Sequence, residues 1–165
     1  MRYLLTLGLL CSSLAWSHCQ IPCGIYHDDL VLAQMGEQWQ TMAKAIDQII
    51  VLEKVCHNPQ TFSQTTRWII NRDMQADHFA ELVSTYFLQQ RIPPGPDQAA
   101  IVATAHRLLV LAMQVKQQVN PQVAEDLHEA LHQFESQYTA MRSRLDAEAA
   151  TKSIPAAPTG TEHAH

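Results

Sequence analysis

The chain has 165 residues, 47% of them hydrophobic, and carries 11 Lys and Arg against 16 Asp and Glu for a formal net charge of −5. That length suits one domain with a single core. The acidic balance argues against nucleic acid or an anionic membrane surface as a partner.

The first element is a leader. Met1 and Arg2 precede an apolar run from Leu4 to Leu14, and Ala15-Trp16-Ser17 puts small side chains at the two positions a signal peptidase inspects. Residues 1–17 are therefore expected to be a signal peptide, cut between Ser17 and His18, with an exported product in the periplasm or outside the cell. The run is shorter than the about 20 apolar residues of a membrane span, and no later segment is expected to come close to that length and apolarity. Lipidation at Cys11 is disfavoured by the bulky Leu10 before it. Cleavage leaves 148 residues, 10 bases against 16 acids, and three cysteines, Cys19, Cys23 and Cys56. An odd count leaves at least one thiol free or otherwise engaged.

Four segments then carry helical periodicity, and strand-like alternation of useful length is missing. Met35, Trp39, Met42, Ile46 and Ile49 form one stripe of a helix from about Asp28 to Cys56. His57-Asn58-Pro59 ends it, because the residue before a proline avoids the helical region. A second helix, starting near Ser63, shows Phe79, Leu82, Val83, Tyr86 and Phe87 on one face and stops before Pro93-Pro94-Gly95-Pro96. The third stripe is Ile101, Ala105, Leu108, Ala112, Val115 and Val119, up to Asn120-Pro121; the fourth is Leu127, Leu131, Phe134, Tyr138, Met141 and Leu145. Short connections between helices of similar length predict an all-α fold, an antiparallel up-down-up-down four-helix bundle over residues 28–150. Residues 151–165, rich in Ala, Pro and Thr, read as a disordered tail.

Bundles host many functions, so the chemistry must come from particular residues. The segment His-Cys-Gln-Ile-Pro-Cys-Gly-Ile-Tyr, His18 to Tyr26, follows the expected cut directly. Cleavage would give His18 a free α-amine beside its imidazole, the Cys19 amide nitrogen and the thiolates of Cys19 and Cys23. Amine, amide and the Cys19 thiolate close small chelate rings on one ion, and Cys23 returns across a turn shaped by Pro22 and Gly24. Nitrogen donors with two soft thiolates favour a square-planar late transition metal, Ni(II) or Cu(II). Zinc prefers a tetrahedral site, and Cu(II) oxidises exposed thiolates, so nickel is favoured, with the His18 imidazole placed as a removable axial ligand. Residues 18–27 are thus read as a metal-binding hook.

The same nine residues closely resemble the N-terminal hook of nickel superoxide dismutases, whose pattern is His-Cys-x-x-Pro-Cys-Gly-x-Tyr. The patch Ser84-Thr85-Tyr86-Phe87-Leu88-Gln89-Gln90-Arg91-Ile92-Pro93-Pro94 also looks like the family's second-helix end. The resemblance implies a homohexamer of four-helix bundles with one nickel per subunit, converting superoxide to dioxygen and hydrogen peroxide by Ni(II)/Ni(III) cycling. It implies that His18 supplies amine and axial imidazole, Cys19 amide and thiolate, and Cys23 the second thiolate. Tyr26 and Tyr86 would line the approach and gate access rather than carry electrons. The family steadies the axial imidazole with a glutamate and an arginine; here Gln34 occupies the ungapped glutamate position, leaving Glu37 and Arg72 as the nearest candidates.

Other readings compete. Cys19 and Cys23 could form a disulfide, and the hook could serve a secreted nickel- or copper-binding or delivery protein without turnover, although such a carrier has no need of Tyr26. A c-type haem is excluded because Cys-x-x-Cys-His does not occur. Cys56 beside His57, and His78, His106, His128 and His132 on the helices, read as structural residues, although His128 and His132 at i, i+4 could share a metal. Arg67, Arg72, Arg91 and Lys54 are the cations available to draw an anionic substrate. A cis Ile21-Pro22 bond would suit a tight hook.

Overall fold

A computed structural model describes residues 28–55 and 58–152. The expected leader, the hook residues His18, Cys19, Cys23 and Tyr26, the Ile21-Pro22 bond, Cys56, His57 and the tail from 153 lie outside the described residues.

The described chain is all-α: α1 (Asp28–Glu53), α2 (Pro59–Glu81) running on into a π-helical segment (Leu82–Leu88), α3 (Gln98–Gln117) and α4 (Pro121–Lys152). Each helix packs against two others, α1 on α2 and α4, α3 on α2 and α4. Partners meet in opposite chain order. Along α1 and α4, Asp28 meets Tyr138 while Trp39 meets Ala124. Between α3 and α4, Arg107 faces Glu129 and Asp97 faces Arg144.

The helical stripes are the core. Met35, Met42, Ile46, Phe79, Val83, Phe87, Ile101, Ala105, Leu108, Leu127, Leu131, Phe134, Tyr138 and Met141 are all buried in one cluster. Trp39, Leu82, Tyr86 and Leu145 sit half-buried at its margin, and Val119 falls beyond the end of α3 and is exposed. Burying each large apolar side chain is worth about 1.5–3 kcal/mol, so the cluster dominates the stability of the helical bundle.

Two boundaries differ from expectation. α1 stops at Glu53, short of Cys56, and α2 begins at Pro59, four residues before Ser63. Asn58 explains the early start: its backbone is extended (φ −136°, ψ 168°), its Oδ1 accepts the Thr61 amide at 2.9 Å, and Pro59 takes the first helical position. An Asx cap followed by proline is a strong start signal because the proline has no N–H to satisfy.

A third difference concerns α3. Gln98–Gln117 reaches a mean hydropathy of 1.3 over 18 residues, long and apolar enough by composition to span a membrane, against the expectation that no later segment would be. The reason is that its non-core faces also carry Val102, Leu109, Val110 and Met113. Its stripe of Ile101, Leu108 and Val115 is buried against its neighbours.

Candidate metal centre

Asp28 opens α1, two residues after Tyr26 in the chain. Its carboxylate accepts a hydrogen bond from Tyr86 Oη on Oδ1 at 2.6 Å and another from Tyr138 Oη on Oδ2 at 2.7 Å. Arg91 Nε lies 3.3 Å from Oδ1, and Arg142 Nε lies 4.0 Å from Oδ2. Arg91 Nη2 also donates to Tyr86 Oη at 3.2 Å, and the guanidinium stands 4.7 Å from the centre of the Tyr86 ring. One carboxylate therefore gathers α1, the π-helical segment, the residue chain after it and α4 at one end of the molecule.

The charges in this clasp set each other's protonation. Burial alone would raise the Asp28 pKa, but the two phenols and then Arg91 and Arg142 outweigh it and hold the carboxyl below its ordinary value. Burial and the hydrogen bond to Asp28 raise Tyr86, and the same causes raise Tyr138 strongly. At neutral pH the unit is one carboxylate, two protonated phenols and two guanidiniums.

The π-helical segment places Tyr86. Its wider turn leaves α-helical bonding incomplete, and hydroxyls fill in: Ser84 Oγ donates to the carbonyls of Ala80 (2.9 Å) and Glu81 (3.2 Å), and Thr85 Oγ1 to Glu81 (2.6 Å). Gln90 Nε2 donates to the Thr85 carbonyl at 2.6 Å. Such turns recur at functional sites because they re-aim one side chain without ending the helix. Here Phe87 stays in the core, edge-on to Phe134 and Tyr138 at 5.0 Å each, while neighbouring Tyr86 is turned to Asp28.

The clasp fixes where the preceding chain starts. Cys23 is five residues from Asp28, which allows at most about 18 Å between their Cα atoms, and Tyr26 at most about 7 Å. A cavity of about 340 Å³ opens at this end, lined by Asp28, Asp29, Leu32, Tyr138, Arg142 and Asp146 among others. A cavity of about 830 Å³ lies at the opposite end, walled by Ile49, Leu52, Pro59, Phe62 and Val119. That apolar space offers little to a small anion.

Of the residues singled out in the sequence, Tyr86 is in the clasp. Glu37 is nine residues on from Asp28, about 13 Å along α1, exposed in a polar groove with Gln34, Gln38, Thr41, Gln75 and His78. Arg72 is about 20 Å along the helix from Tyr86 and turned toward α3. It donates to Asp73 Oδ1 at 3.0 Å and to the Lys116 carbonyl at 2.7 Å, and its Nη1 is buried without a hydrogen-bond partner among the described residues. No hydrogen bond or ion pair joins Glu37 to Arg72 among the described residues. Of the four candidate cations, Arg91 is the one at Tyr86.

Asp28, Tyr138 and Arg142 were not singled out. Tyr138 reads as a core residue of its stripe, and the separations of 58 and 110 residues between Asp28 and its tyrosines carry no local pattern. The available signals were an acidic first turn in α1 and a phenol on an otherwise apolar stripe, whose buried hydroxyl needs a partner.

Does the chain hold donors suited to a metal? Among the described residues no three His, Cys, Asp or Glu side chains cluster in a way that could hold an ion. The donor types from His18 to Cys23 fit nickel by their chemistry, two thiolates with an imidazole and an amide nitrogen, joined by an amine where the chain begins at His18, and Cys23 precedes the clasped start of α1 by five residues. A family model described as nickel-containing superoxide dismutase matches residues 13–142, a span that takes in this donor set and the whole clasp. No curated protein and no solved structure matches the chain.

Proposed function

The chain belongs to the nickel-containing superoxide dismutase family, and from that premise we propose how its own residues assemble the site. As a member it is an oxidoreductase acting on superoxide with nickel as cofactor. Bound nickel supplies the one-electron couple by which one superoxide is oxidised to dioxygen and another reduced to hydrogen peroxide. The reading as a carrier without turnover is not favoured by this membership.

His18 would hold the metal through its α-amine and imidazole, Cys19 through its amide nitrogen and thiolate, and Cys23 through its thiolate. The observation that carries this reading is the Asp28 clasp, which fastens the residue two places after Tyr26 to Tyr86. With the Tyr26 Cα at most about 7 Å from that of Asp28, Tyr26 and Tyr86 would stand together as a pair that gates access. Tyr86 keeps its proton, shared with Asp28, so its part is to fix position rather than to deliver that proton. Arg91, over the Tyr86 ring, offsets the Asp28 charge and offers an approaching anion a cation at close range. Of the two candidates to steady the His18 imidazole, Glu37 stands open in its polar groove, whereas Arg72 is buried and bonded to Asp73 and to the Lys116 carbonyl.

The finer architecture is an up-down-up-down four-helix bundle with the hook ahead of α1, in keeping with the opposed chain order of neighbouring helices. The working assembly is a homohexamer, for which the exposed apolar side chains of α2, Phe62, Ile69, Ile70 and Met74, offer contact surface. Signal peptidase removes residues 1–17 and creates the amine ligand, and the enzyme acts outside the cytoplasm.

Mass spectrometry of the mature, nickel-loaded protein tests the core of this. A first residue of His18 with one nickel per chain, together with rapid loss of superoxide, is the expected result. A mature start at any other residue removes the amine ligand and refutes the hook.

A further inference from the structure

On the flank of the bundle, away from the Asp28 clasp, two histidines are held by different neighbours. Trp39 on α1 donates its indole N–H to the Ala124 carbonyl at 2.7 Å. One turn further along α4, the His128 ring lies flat on the indole, centroids 3.6 Å apart and planes within 5°. The next turn brings His132, whose ring centre is 4.3 Å from that of His128 with the planes tilted by 51°. Glu135 Oε2 sits 3.3 Å from His132 Nδ1, and the His132 side chain is 65% exposed.

We propose that His128 and His132 form a second metal site, which takes one divalent late transition ion of the zinc or copper class on the outer face of α4. Stacking on Trp39 fixes the plane of His128 but occupies only the ring face, leaving the nitrogen edge for an ion. A carboxylate on Nδ1 is the arrangement that orients a ligating imidazole and presents Nε2. The spacing agrees. With metal–nitrogen bonds of about 2.0–2.1 Å, two imidazole ligands put their ring centres about 4.5 Å apart at a right angle and about 5.1 Å apart at the tetrahedral angle. The 4.3 Å found lies a few tenths of an ångström from the right-angle value and about 0.8 Å short of the tetrahedral one, a gap that side-chain rotation of the exposed His132 closes. Imidazole pairs suit zinc, copper and nickel alike, and water would complete the shell, since no third His, Cys, Asp or Glu stands in a metal-holding group among the described residues. This site shares no residue with the hook, and it stands or falls independently of the nickel reading.

The test uses the processed, nickel-loaded full chain titrated with Zn(II), a probe that does not oxidise thiolates. Calorimetry is combined with NMR of the histidine rings and elemental analysis of retained nickel. One zinc per chain beyond the nickel is expected, with shifts at His128 and His132. His132→Gln, an exposed change that leaves the Trp39 stack in place, should weaken that binding tenfold or more. Glu135→Gln should weaken it by about tenfold through the lost orientation of His132. Superoxide loss should be unchanged in both variants. If no zinc binds beyond the nickel, or if His132→Gln leaves the affinity as it was, the proposal is overturned, the second outcome placing the zinc at the hook or at His163 and His165 near the end of the sequence.

Discussion

Asp28 is the residue with the most consequence per atom. Its two oxygens each accept a phenol, and its charge is matched by Arg91 and Arg142. Tyr138 is 2% exposed, so Tyr138→Phe strips a buried charge-assisted hydrogen bond and should cost about 2 kcal/mol in urea unfolding. Tyr86→Phe should cost less, because Tyr86 is half-buried and water can replace its hydroxyl. The lowered Asp28 pKa gives a signed pH effect. Its stabilisation is fully present above the unfolded carboxyl value of about 3.9 and is lost as pH falls through the lower folded value. Asp28→Asn should therefore lower the melting temperature by a constant amount from about pH 5 to pH 8, and the gap to the parent chain should close below about pH 4. A gap that stayed constant to pH 2.5 would show that the carboxylate charge plays no part. The raised tyrosines act at the other extreme: their contribution holds below about pH 10 and fades as pH climbs through their folded values.

Among the elements, α2 shows how local chemistry and tertiary demand share one helix. Its start is local: Asn58 caps, Pro59 follows, and Asn58→Ala should cost about 1 kcal/mol by thermal or urea unfolding. Its far end is not local. The apolar steps Phe79, Val83 and Phe87 read as an ordinary helical stripe, and nothing in Leu82–Leu88 announces a π-helical turn. Ser84 and Thr85, poor interior helix residues because they bond to nearby carbonyls, are compatible with it. What selects the wider turn is the pair of demands on neighbouring side chains: Phe87 must meet Phe134 and Tyr138, and Tyr86 must reach Asp28 on α1.

At the scale of the molecule, the proposed export and the proposed metal site are tied to one cut. One extra residue ahead of His18 would replace the amine by an amide nitrogen and shift the imidazole off the chelate. Such a variant should lose nickel and superoxide dismutase activity while its circular dichroism and melting temperature stay close to those of the parent, because the core cluster lies wholly in the helices. Retained activity would refute the role of the amine. The clasp makes the converse prediction: Tyr138→Phe should lower stability while retaining nickel, since it holds the start of α1 and not the ion.

The family and the metal were legible in nine consecutive residues, because the donors proposed for the metal are neighbours in the chain and make a local signal. The four helices were legible as well, since a buried helical stripe is a periodic signal that does not depend on its partner. Composition was less reliable for α3: no later segment was expected to approach a membrane span, yet its extra apolar residues make Gln98–Gln117 long and apolar enough for one, while its stripe is buried against its neighbours. What only the tertiary structure decided was long-range and polar: that Asp28 joins Tyr86 and Tyr138, that Arg91 rather than Arg67, Arg72 or Lys54 stands at Tyr86, and that Trp39 seats His128. A hydrogen bond between residues 58 or 110 positions apart follows from how the helices pack, and packing is set by the whole core together.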